Sequence, residues 1–205
     1  MQVLIVDSFL DKVKTAPWSK ALRDVIREEL HCTLEVVPYS HFTPNYVEKY
    51  GGKFDAVVLS GSDAYLSKAE DRHAFKNPID AVRMVTTPVL GICGGHQLIA
   101  VSYGQKIVNM GHTIDAYREV QVVADDPIFE GLPERIIVRQ SHTEMVEQVP
   151  EGYSKMATSP ETPIEAMKRN QKDITYGVQF HPEVHDKDHP DGKRIVSNFA
   201  KITTR

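Results

Sequence analysis

The stretch Leu90–Ala100, LGICGGHQLIA, sets Cys93 among glycines, directly after an apolar run and directly before a helix-like one. A thiol in that place is either a small buried hydrophobe at a tight turn or a nucleophile held where backbone donors reach it. Gly91, Gly94 and Gly95 permit the turn and the close approach of a substrate. The N-terminus of a following helix favours a thiolate, and the Gly94 N–H can point at an oxyanion forming on an attacked carbonyl. A cysteine nucleophile also needs a base and a group that orients the base. Far downstream, VQFHPE places His181 and Glu183 just past the last apolar run, with Pro182 restraining the backbone between them. His181 is the candidate to take the thiol proton and Glu183 to hold the imidazole. A third strand exit, VVLSGSDAY, brings Gly61 and Ser62 as a candidate second wall with a further N–H. Ser62 itself is a poor nucleophile candidate, because no histidine or lysine accompanies it.

These residues need a scaffold that gathers distant strand ends. Val3–Val6, Thr33–Val37, Phe54–Ser60 and Pro88–Ile92 are compact apolar runs separated by helix-like stretches, among them Pro17–Leu30. That rhythm predicts parallel strands covered on both faces, whose carboxyl ends form the functional crevice. The helix after Cys93 is expected over Gly94–Tyr103 and a closing helix over Arg194–Ile202. From about Gly111 onward the runs shorten: Glu119–Val123, Arg135–Arg139, Glu144–Val149, Tyr153–Ala157 and Ile164–Lys168 read as antiparallel strands or hairpins, before a last strand over Ile174–Phe180. The expected architecture is an α/β domain spanning 1–205, with an open, mostly parallel, flavodoxin-like sheet flanked by helices and antiparallel strands added in the second half.

The 205 residues carry a formal net charge of −4 with 41% apolar and 25% charged residues. That mixture suits one substantial globular domain and lacks the basic footprint of a nucleic-acid binder. No leader-like segment or membrane-length apolar run is present, so a cytoplasmic protein without membrane association is expected. Of the two cysteines, Cys32 reads as structural.

Taken together, the motifs resemble the class I glutamine amidotransferases, whose nucleophile motif Gly-x-Cys-x-Gly-x-Gln reads here Gly91-Ile92-Cys93-Gly94-Gly95-His96-Gln97. YGVQFHPE, Tyr176–Glu183, is similar to the family's histidine–glutamate segment, and LSG, Leu59–Gly61, to its first motif. The resemblance implies a Cys93–His181–Glu183 triad, an oxyanion hole at Gly61 and Gly94, and glutamine held by Ser62, Gln97, Ser141 and His142. It implies hydrolysis of the glutamine side-chain amide through a cysteine thioester, with no metal or other cofactor for that half-reaction. The ammonia then passes to a separate synthase such as a GMP synthase synthetase subunit, which is where ATP is required. The alternatives are hydrolysis of another γ-glutamyl amide by a stand-alone enzyme, and a non-catalytic regulatory module of the same fold.

The chain departs from the family in two places. Many relatives carry Gly-Gly-Pro where this one has Gly61-Ser62-Asp63, and an aspartate or asparagine often seen near the serine–histidine segment is absent from RQSHTEMVEQVP. Asp63 would oppose a thiolate if it faced inward; it is expected to point outward on a surface loop. His96 is expected to pack rather than replace His181. The cluster His185, Asp186, Asp188, His189 and Asp191 matches no closed zinc spacing and is expected to be a solvated loop.

Overall fold

The apolar runs of the first half become strands whose side chains are covered on both sides. In the computed structural model, which describes residues 1–170 and 174–204, β1 (Gln2–Asp7), β2 (Thr33–Pro38), β3 (Ala56–Leu59) and β4 (Val89–Ile92) run parallel in the order β2-β1-β3-β4. β3 and β4 are buried at every position. Within β1 the alternation of a strand sends Val3 and Ile5 into one core layer and Leu4 and Val6 into the other.

Helices close both layers. α1 (Ala16–Leu30) starts with a proline in its first turn and buries Leu22, Val25, Ile26 and Leu30. It packs beside α6 (Asp191–Thr203), which buries Ile195, Val196 and Phe199 in the same layer. Each such side chain stabilises the fold by roughly 1.5–3 kcal/mol. The opposite layer takes Val47 from α2 (Pro44–Tyr50), Ala81 and Val82 from α4 (Lys76–Val82), and Leu98 and Ile99 from α5 (Gly94–Ser102). The short helix α3 (Ala69–Ala74) precedes α4. Helices α2 to α4 were not anticipated from the sequence. α2 does carry a start signal, since Thr43 Oγ1 accepts from the Tyr46 N–H at 3.1 Å with Pro44 next in the chain. Seven residues are too few for helical periodicity to show.

The second half extends the same sheet. β9 (Thr175–Val178) lies parallel to β4, and β8 (Ala166–Arg169), β7 (Tyr153–Thr158), β5 (Ile107–Val122) and β6 (Arg135–Val146) follow with antiparallel pairing. The sheet among the described residues is therefore mixed, parallel at one end and antiparallel at the other. The expected short strands merge here. Glu119–Val123 falls almost entirely in the long strand β5, which starts back at Ile107, and Arg135–Arg139 and Glu144–Val149 largely in the single strand β6. Gly111, at φ 78°, sits where the β5–β6 register shifts between Asn109 and Ile114, so it bends the ribbon without ending it.

Candidate active site

Cys93 is positioned by backbone geometry. It follows β4 and caps α5 with φ 48° and ψ −102°, one of two non-glycine residues at positive φ among the described residues. Such a conformation is costly for an L-residue and persists where surrounding structure enforces it. Here the Cys93 N–H donates to the Val178 carbonyl at 2.8 Å, tying the elbow to the end of β9. Gly94 has to be glycine: a Cβ there would lie 2.5 Å from Ser62 Cβ and 2.7 Å from Ser62 N. The β3 exit thus rests directly on the start of α5. Gly94 begins the helix, so its N–H has no carbonyl four residues back to bond within the helix.

The end of β9 delivers the second group. His181 Nδ1 lies 2.7 Å from Glu183 Oε1, both side chains being buried, and Cys93 is the other group that acts on the ring. With Nδ1 on Glu183, Nε2 is the nitrogen left for sulfur. Burial works against the imidazolium, but Glu183 and Cys93 outweigh it and raise the His181 pKa from 6.5 to about 10. Trp18 covers the ring with centroids 4.4 Å apart. Gly61 passes under it, where a Cβ would meet His181 Cε1 at 2.9 Å.

The sulfur faces a cavity of ≈ 430 Å³ lined in part by Ser62, Gln97, Ser141, His142 and His181. All four expected glutamine-holding residues therefore border one space with Cys93. Their side chains differ in availability. Ser62 Oγ donates to the Ser8 carbonyl at 2.8 Å and accepts from the Ala64 N–H, which leaves its backbone as the part turned to the site. Gln97 Nε2 donates to the Glu144 carbonyl at 3.0 Å. The Ser141 carbonyl lies 3.8 Å from the sulfur. His142 is held between Gln140 Oε1 at 2.9 Å and the Glu144 carbonyl at 3.0 Å. A larger depression of ≈ 1010 Å³ along residues 121–134 contains none of these groups.

The doubtful residues settle into structural places. The Asp63 carboxylate accepts from the Leu10 N–H at 2.6 Å and the Asp11 N–H at 3.1 Å, fastening the β1–α1 loop. His96 is fully buried against Gly177, and burial lowers its pKa to about 3, so it packs as a neutral ring. Cys32 is buried, and desolvation raises its pKa. In the His185–Asp191 loop, Asp186 accepts from the Asp188 and His189 N–H groups, His189 stacks on Tyr117, and Asp191 accepts from the Ile137 N–H.

Several residues around the sulfur were missed. Gln179 Nε2 lies 3.6 Å from Cys93 Sγ, and its Oε1 lies 3.3 Å from Gln97 Nε2. The signal was a polar residue inside the apolar run before His181. Gln140, Glu144 and Glu165 are buried polar residues reached through His142 and Gln97, and nothing in their local sequence marks them.

The class-I glutamine amidotransferase family model matches residues 19–202. The chain belongs to that family. It is 44% identical over 115 residues to a glutamine-hydrolyzing GMP synthase subunit of Pyrococcus abyssi, a match covering 56% of this chain and 60% of that protein. It is 34% identical over 169 residues to the Methanopyrus kandleri protein of the same name, covering 82% of this chain and 84% of the relative. A solved Thermoplasma acidophilum protein, given provisionally as the same GMP synthase subunit, superposes over 100% of this chain and 94% of its own, with a TM-score of 0.82 at 25% identity. No helix among the described residues is long and apolar enough to cross a membrane.

Proposed function

We propose that this chain hydrolyses the side-chain amide of glutamine and delivers the ammonia to a separate, ATP-dependent GMP-forming synthetase subunit. The observation that carries the reading is a buried imidazole set between a strained cysteine and a carboxylate, at the mouth of the cavity that Gln97 and Ser141 also border. Glutamine enters with its amide at Cys93. Cys93 passes its thiol proton to His181, its sulfur attacks the amide carbon, and charge develops on the carbonyl oxygen near the Gly94 N–H and the backbone of Gly61 and Ser62. His181 gives its proton to the leaving nitrogen, the C–N bond breaks, and a γ-glutamyl thioester remains on Cys93. His181, now neutral, takes a proton from water as that water attacks the thioester. Glutamate leaves and the thiol is restored. Glu183 keeps the imidazole oriented throughout and favours its charged form. Side chains and backbone of this chain supply each of these steps.

The partner half of the proposal rests on the names of the relatives and on the ammonia itself, which needs an activated acceptor to be retained. The test is glutamate release from glutamine by the purified chain, repeated with Cys93→Ala, followed by copurification with a GMP-forming synthetase subunit. Glutaminase activity that the synthetase raises, and that Cys93→Ala removes, is the expected result. Strong hydrolysis of another γ-glutamyl amide without any effect of a synthetase would overturn the partner assignment. A lack of thiol-dependent hydrolysis would overturn the whole reading.

A further inference from the structure

Behind the cavity wall, buried polar groups form an unbroken chain. Glu165 sits 1% exposed. Its two carboxylate oxygens each lie 2.9 Å from one end of the Gln140 amide, and Ser159 Oγ donates to Oε1 at 2.7 Å. The other end of the Gln140 amide meets His142 Nε2 at 2.9 Å, and His142 Nδ1 meets the Glu144 carbonyl at 3.0 Å. That carbonyl also takes the Gln97 side chain.

Hydrogen-bond valence fixes the proton count of this chain. A backbone carbonyl only accepts, so His142 Nδ1 carries a hydrogen. The two ends of a glutamine amide can exchange places by rotation, which leaves two arrangements that place a hydrogen bond at both junctions, Glu165 with Gln140 and Gln140 with His142. In one, a carboxylate accepts from the Gln140 amide nitrogen, and the amide oxygen accepts from a doubly protonated His142. In the other, a protonated Glu165 donates to the amide oxygen, and the amide nitrogen donates to a neutral His142. Both contain the same protons and have no net charge. An ionised Glu165 with a neutral His142 sets the Gln140 amide oxygen against a second acceptor in either orientation and loses a buried hydrogen bond.

We propose that Glu165, Gln140 and His142 are a positioning unit that holds one shared proton and so fixes the β6 wall of the glutamine site. The inference rests on the glutaminase reading for its consequence, and on geometry alone for the proton. The unit braces the strand segment carrying the Ser141 carbonyl, 3.8 Å from the sulfur, and the Glu144 carbonyl that anchors Gln97. Burial selects the neutral arrangement: it raises Glu165 to about 7, against the hydrogen bonds from Gln140 and Ser159, and lowers His142 to about 4. Other titratable groups also face the unit. His181, Glu161 and His112 act on His142, and His142 acts on His96. The Glu144 carboxylate turns instead to the Ser67 N–H. A substitution at Glu165 leaves all of these in place.

The consequence is a binding effect with a defined pH sign. As pH rises above neutrality the shared proton leaves, the wall loosens, and KM for glutamine rises while kcat holds. Glu165→Gln supplies a permanent donor to the Gln140 amide oxygen and cannot ionise. It is expected to keep the low-pH KM and to flatten the alkaline rise seen in the wild type. Glu165→Leu removes the partner at every pH and is expected to raise KM about tenfold with kcat changed less than about threefold. Equal behaviour of Glu165→Gln and Glu165→Leu, or a wild-type KM profile identical to that of Glu165→Gln, overturns the role. Independently of turnover, nitrogen-15 shifts of His142 and the carbon-13 carboxyl shift of Glu165 in the full chain at about pH 6 read the proton directly. A neutral His142 beside an ionised Glu165 overturns the proposal; a net-neutral pair in either arrangement supports it. If the wild type releases no ammonia from glutamine, the proposed function fails while the spectrum still decides the proton. If Glu165→Leu does not fold, the comparison of wild type with Glu165→Gln and the spectrum remain decisive.

Discussion

Two walls of one cleft are built by different means. The Cys93 elbow is fixed by main chain: a positive φ, a hydrogen bond from its N–H to Val178, and glycine positions with no room for a Cβ. The β6 wall opposite is fixed largely by side chains, with Gln140 and His142 on its buried face joined to each other and to Glu165, and with His142 and Gln97 meeting at the Glu144 carbonyl. The elbow holds the atom proposed to react, where a displacement of an ångström removes chemistry. The wall shapes the space beside it, where an altered contact changes binding before it changes the reaction. Damage to the elbow is therefore expected to appear in kcat, and damage to the wall in KM.

The largest effect comes from the nucleophile. Cys93→Ala is expected to lower kcat at least about 10⁴-fold with the fold intact, measured as glutamate released from glutamine. The same position tests the strain. Cys93→Gly also lacks the thiol, but glycine accepts φ 48° without cost. It should be more stable than Cys93→Ala by about 1 kcal/mol in urea unfolding. Equal stability of the two would show that the elbow carries no backbone strain.

Glu183→Gln comes next, with kcat expected to fall about 10²–10⁴-fold, because an amide that can present either its oxygen or its N–H₂ no longer fixes the imidazole tautomer, and the charge that favours imidazolium is gone. The His181 pKa, raised from 6.5 to about 10 with the pair intact, should move acidward in a proton-NMR titration. The linked stability has a definite sign. A folded-state pKa above the unfolded one stabilises fully below about 6.5 and ceases to as pH rises through about 10. The stability of the wild type relative to Glu183→Gln should shrink across that window. A difference that grows with pH would show that His181 is neutral in the resting site.

The same contrast explains what the sequence could reveal. Elbow chemistry is written locally: glycines, a cysteine and an apolar run declare a strand-to-helix turn, and VQFHPE declares its partner. The parallel strands were legible because β3 and β4 are apolar throughout. β6 was not legible, since both of its faces mislead. Ile136, Val138 and Val146 point inward together with Gln140, His142 and Glu144, while Ile137 on the other face is 43% exposed. Period-two alternation then has no phase to read, and the long strand broke into two short ones. Its buried polar residues are paired with Glu165 and Gln97, partners 25 and 47 positions away, and no local pattern encodes such pairing. Sites built from side-chain networks across strands are hidden from a reading that depends on neighbours.

A smaller loss, about 10²-fold in kcat, is expected for Gly94→Ala. The added Cβ would lie 2.5 Å from Ser62 Cβ and 2.7 Å from Ser62 N, so Ser62 has to move, and its backbone belongs to the proposed oxyanion site. Unchanged KM with reduced kcat is the expected signature, measured under saturating glutamine. A rise in KM alone would assign this contact to substrate binding rather than to the reaction.

The smallest effect is expected where the sequence raised its sharpest doubt. Asp63 stands where the resemblance leads to an expectation of proline, close enough to the site to border the cavity, and a carboxylate beside a thiolate would slow attack. Its oxygens instead hold the Leu10 and Asp11 N–H groups, so its charge is turned to donors on the β1–α1 loop. Asp63→Asn keeps one acceptor and turns an amide N–H₂ toward the second backbone donor. Stability should fall by about 1 kcal/mol, while kcat changes less than about threefold. An increase in kcat of tenfold or more in Asp63→Asn would instead show that the carboxylate acts on the sulfur, and that this family member works against its own charge.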